Sequence, residues 1–176
     1  RVEFSDLHQD AQGRTHYGVL APVGVPARGV AYLTWEAEAA LYPMVEAWPV
    51  PTRSAETYLV RRDGEGVRFL TPLRHQADAA LALARPLATP DLPAARAALG
   101  ERGILSGGRD YRGVPVLAYA AAVEGTPWLM LAEIDEREAY TGIRTLTWGM
   151  GVVMGLGLLL VCSAGYLMWR RDREPL

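Results

Sequence analysis

The stretch VPVLAYAAAVEGTPWLMLAEI, residues 114–134, decides how the rest of the chain is read. Two apolar runs, 114–123 and 128–134, flank Glu124-Gly125-Thr126-Pro127, and turn formers between two such runs predict an antiparallel hairpin. Runs that are apolar on both faces belong in the middle of a covered sheet or at a partner surface. Immediately upstream, residues 103–111 are glycine-rich and read as a loop as much as a strand. Before them, residues 73–102 turn to Ala and Leu interrupted by Pro86, Pro90 and Pro93, which predicts two short helices. The second covers 92–102, with Asp91 ahead of it, Pro93 in its first turn and Gly103 near its end. Residues 56–62 and 67–71 predict two more strands, joined through Asp63-Gly64-Glu65-Gly66, where Asp and Gly tolerate positive φ. From residue 56 the predicted order is strand, strand, helices, strand, strand, strand.

Further upstream, Trp48-Pro49-Val50-Pro51 cannot continue a helix and marks residues 49–54 as a linker. Ahead of it, 15–23 and 27–35 form a second predicted hairpin around Gly24-Val25-Pro26. Residues 36–48 place Ala37, Ala40, Leu41, Met44, Val45 and Trp48 on one helical face, with Pro43 kinking that helix or ending its first part. Residues 1–10 are mixed and extended, with a turn over 11–14. No repeat shows residue by residue, yet 15–48 match 114–169 in the order of their elements.

Downstream, TLTWGMGVVMGLGLLLVCSAGYLMW (145–169) carries no charge and is bounded by Arg144 and by Arg170-Arg171. As a helix it reaches about 37 Å, more than the roughly 30 Å hydrocarbon core. Trp148, Tyr166 and Trp169 stand where aromatic rings settle in headgroups. These features predict a transmembrane helix with membrane lipid as its partner. Arg170, Arg171 and Arg173 follow the span and acidic residues precede it, so the positive-inside rule puts the C-terminus in the cytoplasm and residues 1–144 outside. The expected location is a bacterial inner membrane with a periplasmic N-terminal domain. Gly151 and Gly155 form GxxxG, read either as the contact of a parallel homodimer or as lipid-facing glycine.

The 176 residues are half hydrophobic and 22% charged with a net charge of -2, enough for one domain or for one small domain and part of another. Near-neutral charge excludes the concentrated basic face that nucleic acid requires. All the basic residues are Arg, with no Lys and no Asn, a bias of GC-rich bacterial genomes. The single cysteine, Cys162, permits no intramolecular disulfide. A start at Arg1 without Met reads as a fragment. Catalysis is poorly supported. Ser106 lacks the setting of a nucleophile elbow, and the glycines of 103–113 lack the Lys-Ser/Thr ending of a phosphate loop. His8, His16 and His75 have no metal-ligand spacing, and Asp6-Leu-His8-Gln-Asp10 lacks a fourth ligand. Neither cofactor nor metal is expected.

The strings AETYLVRRDGEGVRFLTPLRH (55–75), GGRDYRGVPVLAYAAAV (107–123) and GTPWLMLAEIDEREA (125–139), in that element order, resemble the membrane-proximal half of double Cache sensor regions in bacterial sensor histidine kinases and diguanylate cyclases. The resemblance implies an α+β, PAS-like antiparallel sheet with flanking helices, followed by one transmembrane helix. It divides the chain into the end of a membrane-distal Cache domain (1–48), the linker (49–54), a membrane-proximal Cache domain (55–137), a helical lead-in and span (138–169) and a cytoplasmic stub (170–176). It further implies a two-component sensor, most often with histidine kinase output, in which a small periplasmic ligand or a change at a homodimer interface shifts the sensor. The competing readings are a diguanylate cyclase sensor, an anchored periplasmic enzyme, and an anchored domain that docks a periplasmic partner. For ligand binding, Asp110, Tyr111 and Arg112 lie beside a glycine-rich turn, and Arg61, Arg74 and His75 bring positive charge. An Arg fork would select a small acid. The alternative is that Asp110 pairs with an Arg and Tyr111 packs on the sheet, fixing the loop.

Overall fold

The computed structural model describes residues 2–24, 26 and 28–171, without the side chains of 142–147, 165, 167, 168, 170 and 171. Residues Arg1–Glu136 form one compact unit and Arg137–Leu176 a second. Among the described residues the first holds nine strands: β1 (Glu3–Gln9), β2 (Thr15–Val23), β3 (Gly29–Glu36), β4 (Glu56–Asp63), β5 (Gly66–Phe69), β6 (Ala84–Pro86), β7 (Gly103–Arg109), β8 (Pro115–Ala122) and β9 (Trp128–Asp135). Two antiparallel sheets result, one in the order β1-β2-β3 and one in the order β6-β5-β4-β9-β8-β7. The hairpin of residues 114–134 lies in the middle of the larger sheet: β9 lies between β8 and β4, and both of its edges are paired.

Strand alternation sets the cores. Tyr58 and Val60 of β4, Leu129 and Leu131 of β9, and Ala118 and Ala120 of β8 point to one face. They pack there with Phe69, Leu105 and the alanines of helix α2 (Pro93–Ala98). The opposite face meets the first sheet and helix α1 (Leu41–Glu46) through Leu59, Trp128, Leu7, Leu41 and Val45. Phe4 sits edge-on to Trp128 at 4.8 Å between ring centres. The Trp128 indole N–H donates to Asp6 Oδ1 at 2.6 Å, tying β1 to β9 across the two sheets.

Several expectations are corrected here. The α+β, PAS-like arrangement with flanking helices gives way to a mainly antiparallel β unit with few and short helices. Between residues 73 and 102 there is only one 3₁₀ turn (Ala77–Ala79), the short strand β6 and the six-residue α2. The prolines divide the Ala/Leu run too finely for longer helices. The glycine-rich 103–109 is a full strand. The helix read over 36–48 begins only at Leu41, so Pro43 falls in its first turn, where its missing N–H has no acceptor to satisfy, and does not kink it.

The second unit carries α3 (Glu136–Ala139) and α4 (Thr141–Arg171). Among the described residues, no helix is long and apolar enough to cross a membrane. The predicted transmembrane helix is corrected on this finding, and with it the inner-membrane location and the periplasmic and cytoplasmic sides. The side chains of Arg144, Arg170 and Arg171, and Arg173 with the rest of 172–176, lie outside the described residues.

Pairing reveals a duplication that residue identities hide. In β1-β2, Glu3 pairs with Leu20, Ser5 with Gly18 and His8 with His16, with a bulge between Ser5 and His8. In β7-β8, Gly103 pairs with Ala120, Leu105 with Ala118 and Gly108 with Val116, with a bulge between Leu105 and Gly108. The connecting turns also match. Asp10 Oδ1 accepts from the backbone of Gln12 and Arg14, and Asp110 Oδ1 from that of Arg112 and Val114. Gly13 and Gly113 take φ of 79° and 81°, and each donates to the carbonyl of its turn aspartate. The hairpins that follow differ by one residue, so Gly18 faces Thr34 where Ala118 faces Glu133. The meander β1-β2-β3 thus copies β7-β8-β9.

Candidate functional site

β4 and β9 bring two carboxylates face to face. Glu56 pairs with Glu133 across the strands, and both side chains fall in phase with the apolar core, 6% and 2% exposed. Tyr58, fully buried on the same face, donates its hydroxyl proton to Glu133 Oε1 at 2.5 Å. Glu133 Oε2 has no hydrogen-bond partner among the described residues. A charged carboxylate in that setting is costly, because it loses water and gains only one donor. Burial pushes the Glu133 pKa up to about 8; the Tyr58 bond opposes this, and the charges of Asp110 and Glu56 add to it. Burial likewise raises Tyr58 well above its ordinary value, reinforced by Glu133. Near neutral pH Glu133 therefore holds its proton.

Glu56 faces a wetter boundary. Its Oε1 accepts from the Tyr111 hydroxyl at 2.8 Å and its Oε2 from the backbone N–H of Arg74 at 2.9 Å. Burial and the Glu56 bond both raise the Tyr111 pKa, so the phenol stays a donor. Beyond Glu56 opens a cavity of about 370 Å³ lined by Glu46, Glu56, Thr57, Pro72, Leu73, Arg74 and Ala77. The Arg74 guanidinium at its rim donates to the carbonyls of Thr52 and Arg53 at 3.3 and 3.4 Å.

On its other side Tyr111 adjoins an ion-pair network built on the second of the duplicated turns. Asp110, 5% exposed, accepts from Arg112 Nε at 2.5 Å, and Arg112 Nη2 reaches Asp135 at 2.6 Å, the last residue of β9. Burial works against the guanidinium charge, and the bonds to Asp110 and Asp135 outweigh it, holding the Arg112 pKa above its ordinary value. The first turn carries a counterpart: Arg14 bridges Asp10 and Glu36, the last residue of β3. Burial raises the Asp10 pKa, but donors from Arg14, His16 and Gln12 outweigh it and hold it at about 2.

Of the residues singled out in the sequence, Arg74, His75, Asp110, Tyr111 and Arg112 come together. The His75 backbone N–H donates to the Tyr111 hydroxyl at 3.4 Å. Arg61 does not join them. It alternates to the opposite face of β4 and pairs with Asp6 beside Trp128. The reading in which Asp110 pairs with an Arg and Tyr111 packs on the sheet describes this geometry, since the Tyr111 ring lies edge-on to Phe69 at 6.0 Å. A fork of free arginines for a small acid is not what forms, because Arg61 and Arg112 already hold carboxylates. Gly151 and Gly155 lie on α4, where an added Cβ meets nothing within 4 Å. No group of His, Cys, Asp and Glu among the described residues could hold a metal ion.

Glu56, Tyr58, Glu133 and Asp135 were missed. The available signal was period two: Glu133 is in phase with Leu129 and Leu131, and a carboxylate on the apolar phase of a central strand marks a special site. Comparison with protein families and with curated proteins finds no match to this chain.

Proposed function

We propose that the chain is the sensing part of a signal-transduction protein, and that it takes a small amine-bearing ligand in the cavity beside Glu56. The observation that carries this reading is the continuous route from that cavity to the end of β9, through Glu56, Tyr111, Asp110, Arg112 and Asp135. The cavity presents the carboxylates of Glu46 and Glu56 against the one guanidinium of Arg74, which favours a cation over the small acid expected from the sequence. A cation drawn to Glu56 competes with the Tyr111 hydroxyl for the same oxygen. Movement of Tyr111 then reaches Asp110 and Arg112, and Arg112 holds the residue from which the chain enters α3. No Pro or Gly lies between Asp135 and Tyr140. The resemblance of 55–75, 107–123 and 125–139 to Cache sensors supports a sensor histidine kinase or a diguanylate cyclase as the parent.

Thermal denaturation with putrescine, agmatine and, as acids, succinate and acetate tests the reading. Saturating amine at about 100 times Kd adds about 2.7 kcal/mol, or about 5–10 °C for a chain of this size. Stabilisation by acids alone, or by none of the four, overturns the proposal. A second reading, partner docking, is favoured by the outer face of β7-β8-β9. There Ile104, Tyr119 and Met130 are exposed beside an apolar hollow of about 180 Å³ that includes Trp48, Leu117 and Ile134.

A further inference from the structure

The two carboxyls of the β4-β9 pair stand in different surroundings. Glu56 reaches the cavity, whereas Glu133 is 2% exposed, has one donor in the Tyr58 hydroxyl, and leaves Oε2 without a partner among the described residues. The groups that face Glu133 are Glu56 and Tyr58 from β4, Asp110 and Arg112 from the turn between β7 and β8, and the uncharged Ala118 from β8. Arg112, the cation among them, is already held by Asp110 and Asp135.

Carboxylates that share a buried site cannot all be charged, and the one with fewest donors keeps its proton. Glu56 has two donors, the Tyr111 hydroxyl and the Arg74 backbone N–H, so the proton rests on Glu133. Burial, with the charges of Asp110 and Glu56 added, holds it there up to a pKa of about 8. Residues directly opposite in an antiparallel pair have Cβ atoms about 4.5–5.5 Å apart, and at that range a charge on one carboxyl changes the proton affinity of the other by about tenfold or more. A cation seated on Glu56 cancels the charge that helps Glu133 keep its proton.

We propose that the cavity beside Glu56 is proton-linked: an amine seated on Glu56 expels the proton of Glu133 to solvent, and a rise in pH in turn tightens the amine. The proposal rests on the amine reading of that cavity and adds its regulation. No covalent bond to the ligand forms; the Glu133 O–H bond breaks, the proton passes to buffer, and the carboxylate left behind still accepts from Tyr58. Linkage makes the effect reciprocal, since a ligand that expels a proton binds better where protons are scarce. With the proton held about tenfold more weakly in the complex, the amine binds about sevenfold more tightly at pH 8.5 than at pH 6, and about half a proton leaves per ligand at pH 7.5.

Calorimetric titration of putrescine into the full 176-residue chain between pH 6 and pH 8.5, a range in which alkylammonium groups stay charged, tests the link. At pH 7.5 the titration is run in phosphate and in HEPES, whose ionisation enthalpies differ, so that the difference in heat counts the protons released. The expected result for the wild type is about half a proton released at pH 7.5 and an affinity that rises about sevenfold across the range; in Glu133→Gln this release is gone and the affinity stays level. Infrared difference spectroscopy reads the step on the residue itself: the carboxyl band of protonated Glu133, absent from Glu133→Gln, fades when amine is added at pH 7.5. Binding without proton release, a release that persists unchanged in Glu133→Gln, or a carboxyl band that amine leaves intact overturns the proton link and leaves the amine reading standing. No binding at any pH overturns both.

Discussion

Replacing Glu133 by Gln should reverse the order of stability between variant and wild type as pH rises. With its pKa raised to about 8 from an ordinary 4.5, Glu133 holds a proton in the folded state that the unfolded chain releases. Between those two values the folded state binds more protons, so stability is highest at the acid end and falls as pH rises, by up to about 1.4 kcal/mol per unit. From pH 5.5 to 7.5 the loss from this group is about 2.5 kcal/mol, the slope flattening as the pKa is approached. Gln is neutral throughout and its carbonyl still accepts the Tyr58 hydroxyl. Its amide nitrogen adds a donor at a place where Oε2 finds no partner, at a cost of about 1 kcal/mol. The wild type has lost about 0.4 kcal/mol at pH 4.5, about 1.4 kcal/mol at pH 5.5 and about 3.9 kcal/mol at pH 7.5, so the variant should be less stable by about 0.6 kcal/mol at pH 4.5, and more stable by about 0.4 kcal/mol at pH 5.5 and about 3 kcal/mol at pH 7.5. Urea denaturation of both proteins across this range gives the difference directly. Every group other than residue 133 is common to both proteins, so its contribution cancels. A difference that stays constant from pH 5.5 to 7.5 would refute the buried, protonated carboxyl.

Arg112→Ala leaves Asp110, 5% exposed, without its guanidinium and should destabilise the chain by about 2–3 kcal/mol; Arg112→Lys, keeping charge without the two-acceptor fork, should recover part of that in the same denaturation assay. Gly113→Ala and Gly13→Ala place a Cβ at φ of 81° and 79°, and each should cost about 1–2 kcal/mol, in step with one another if the two turns are copies. Gly151→Ala with Gly155→Ala, where added Cβ atoms meet open space, should strengthen α4 by about 0.5–1 kcal/mol each, read as increased helical circular dichroism on warming.

Where one local signal decides a conformation, the sequence was informative. Asp63-Gly64 and Glu124-Gly125 mark the hairpins β4-β5 and β8-β9, and the apolar, β-rich runs on either side mark their strands. Residues 73–102 misled because Ala and Leu favour helix locally, whereas the prolines and the demands of the sheet leave room only for α2 and β6. Residues 103–109 were ambiguous between loop and strand, since glycines tolerated at a bulge look like a loop. The duplication showed in the sequence only as a shared order of elements over 15–48 and 114–169, because register and bulge position are copied while side chains such as Ser5 and Leu105 are not. For the site, Asp110, Tyr111 and Arg112 could be found because they cluster in sequence. Glu56 and Glu133 become neighbours only through the β4-β9 pairing, a long-range contact that no local pattern encodes. Arg61 was assigned to the wrong side because one step along a strand reverses its face.

Calorimetric titration of putrescine into wild type and Glu56→Gln at pH 7 tests the central claim most directly. Saturable binding to the wild type, weakened at least tenfold in the variant, is the predicted result. Equal affinity in both proteins, or no heat in either at millimolar amine, would contradict a sensor that works through Glu56.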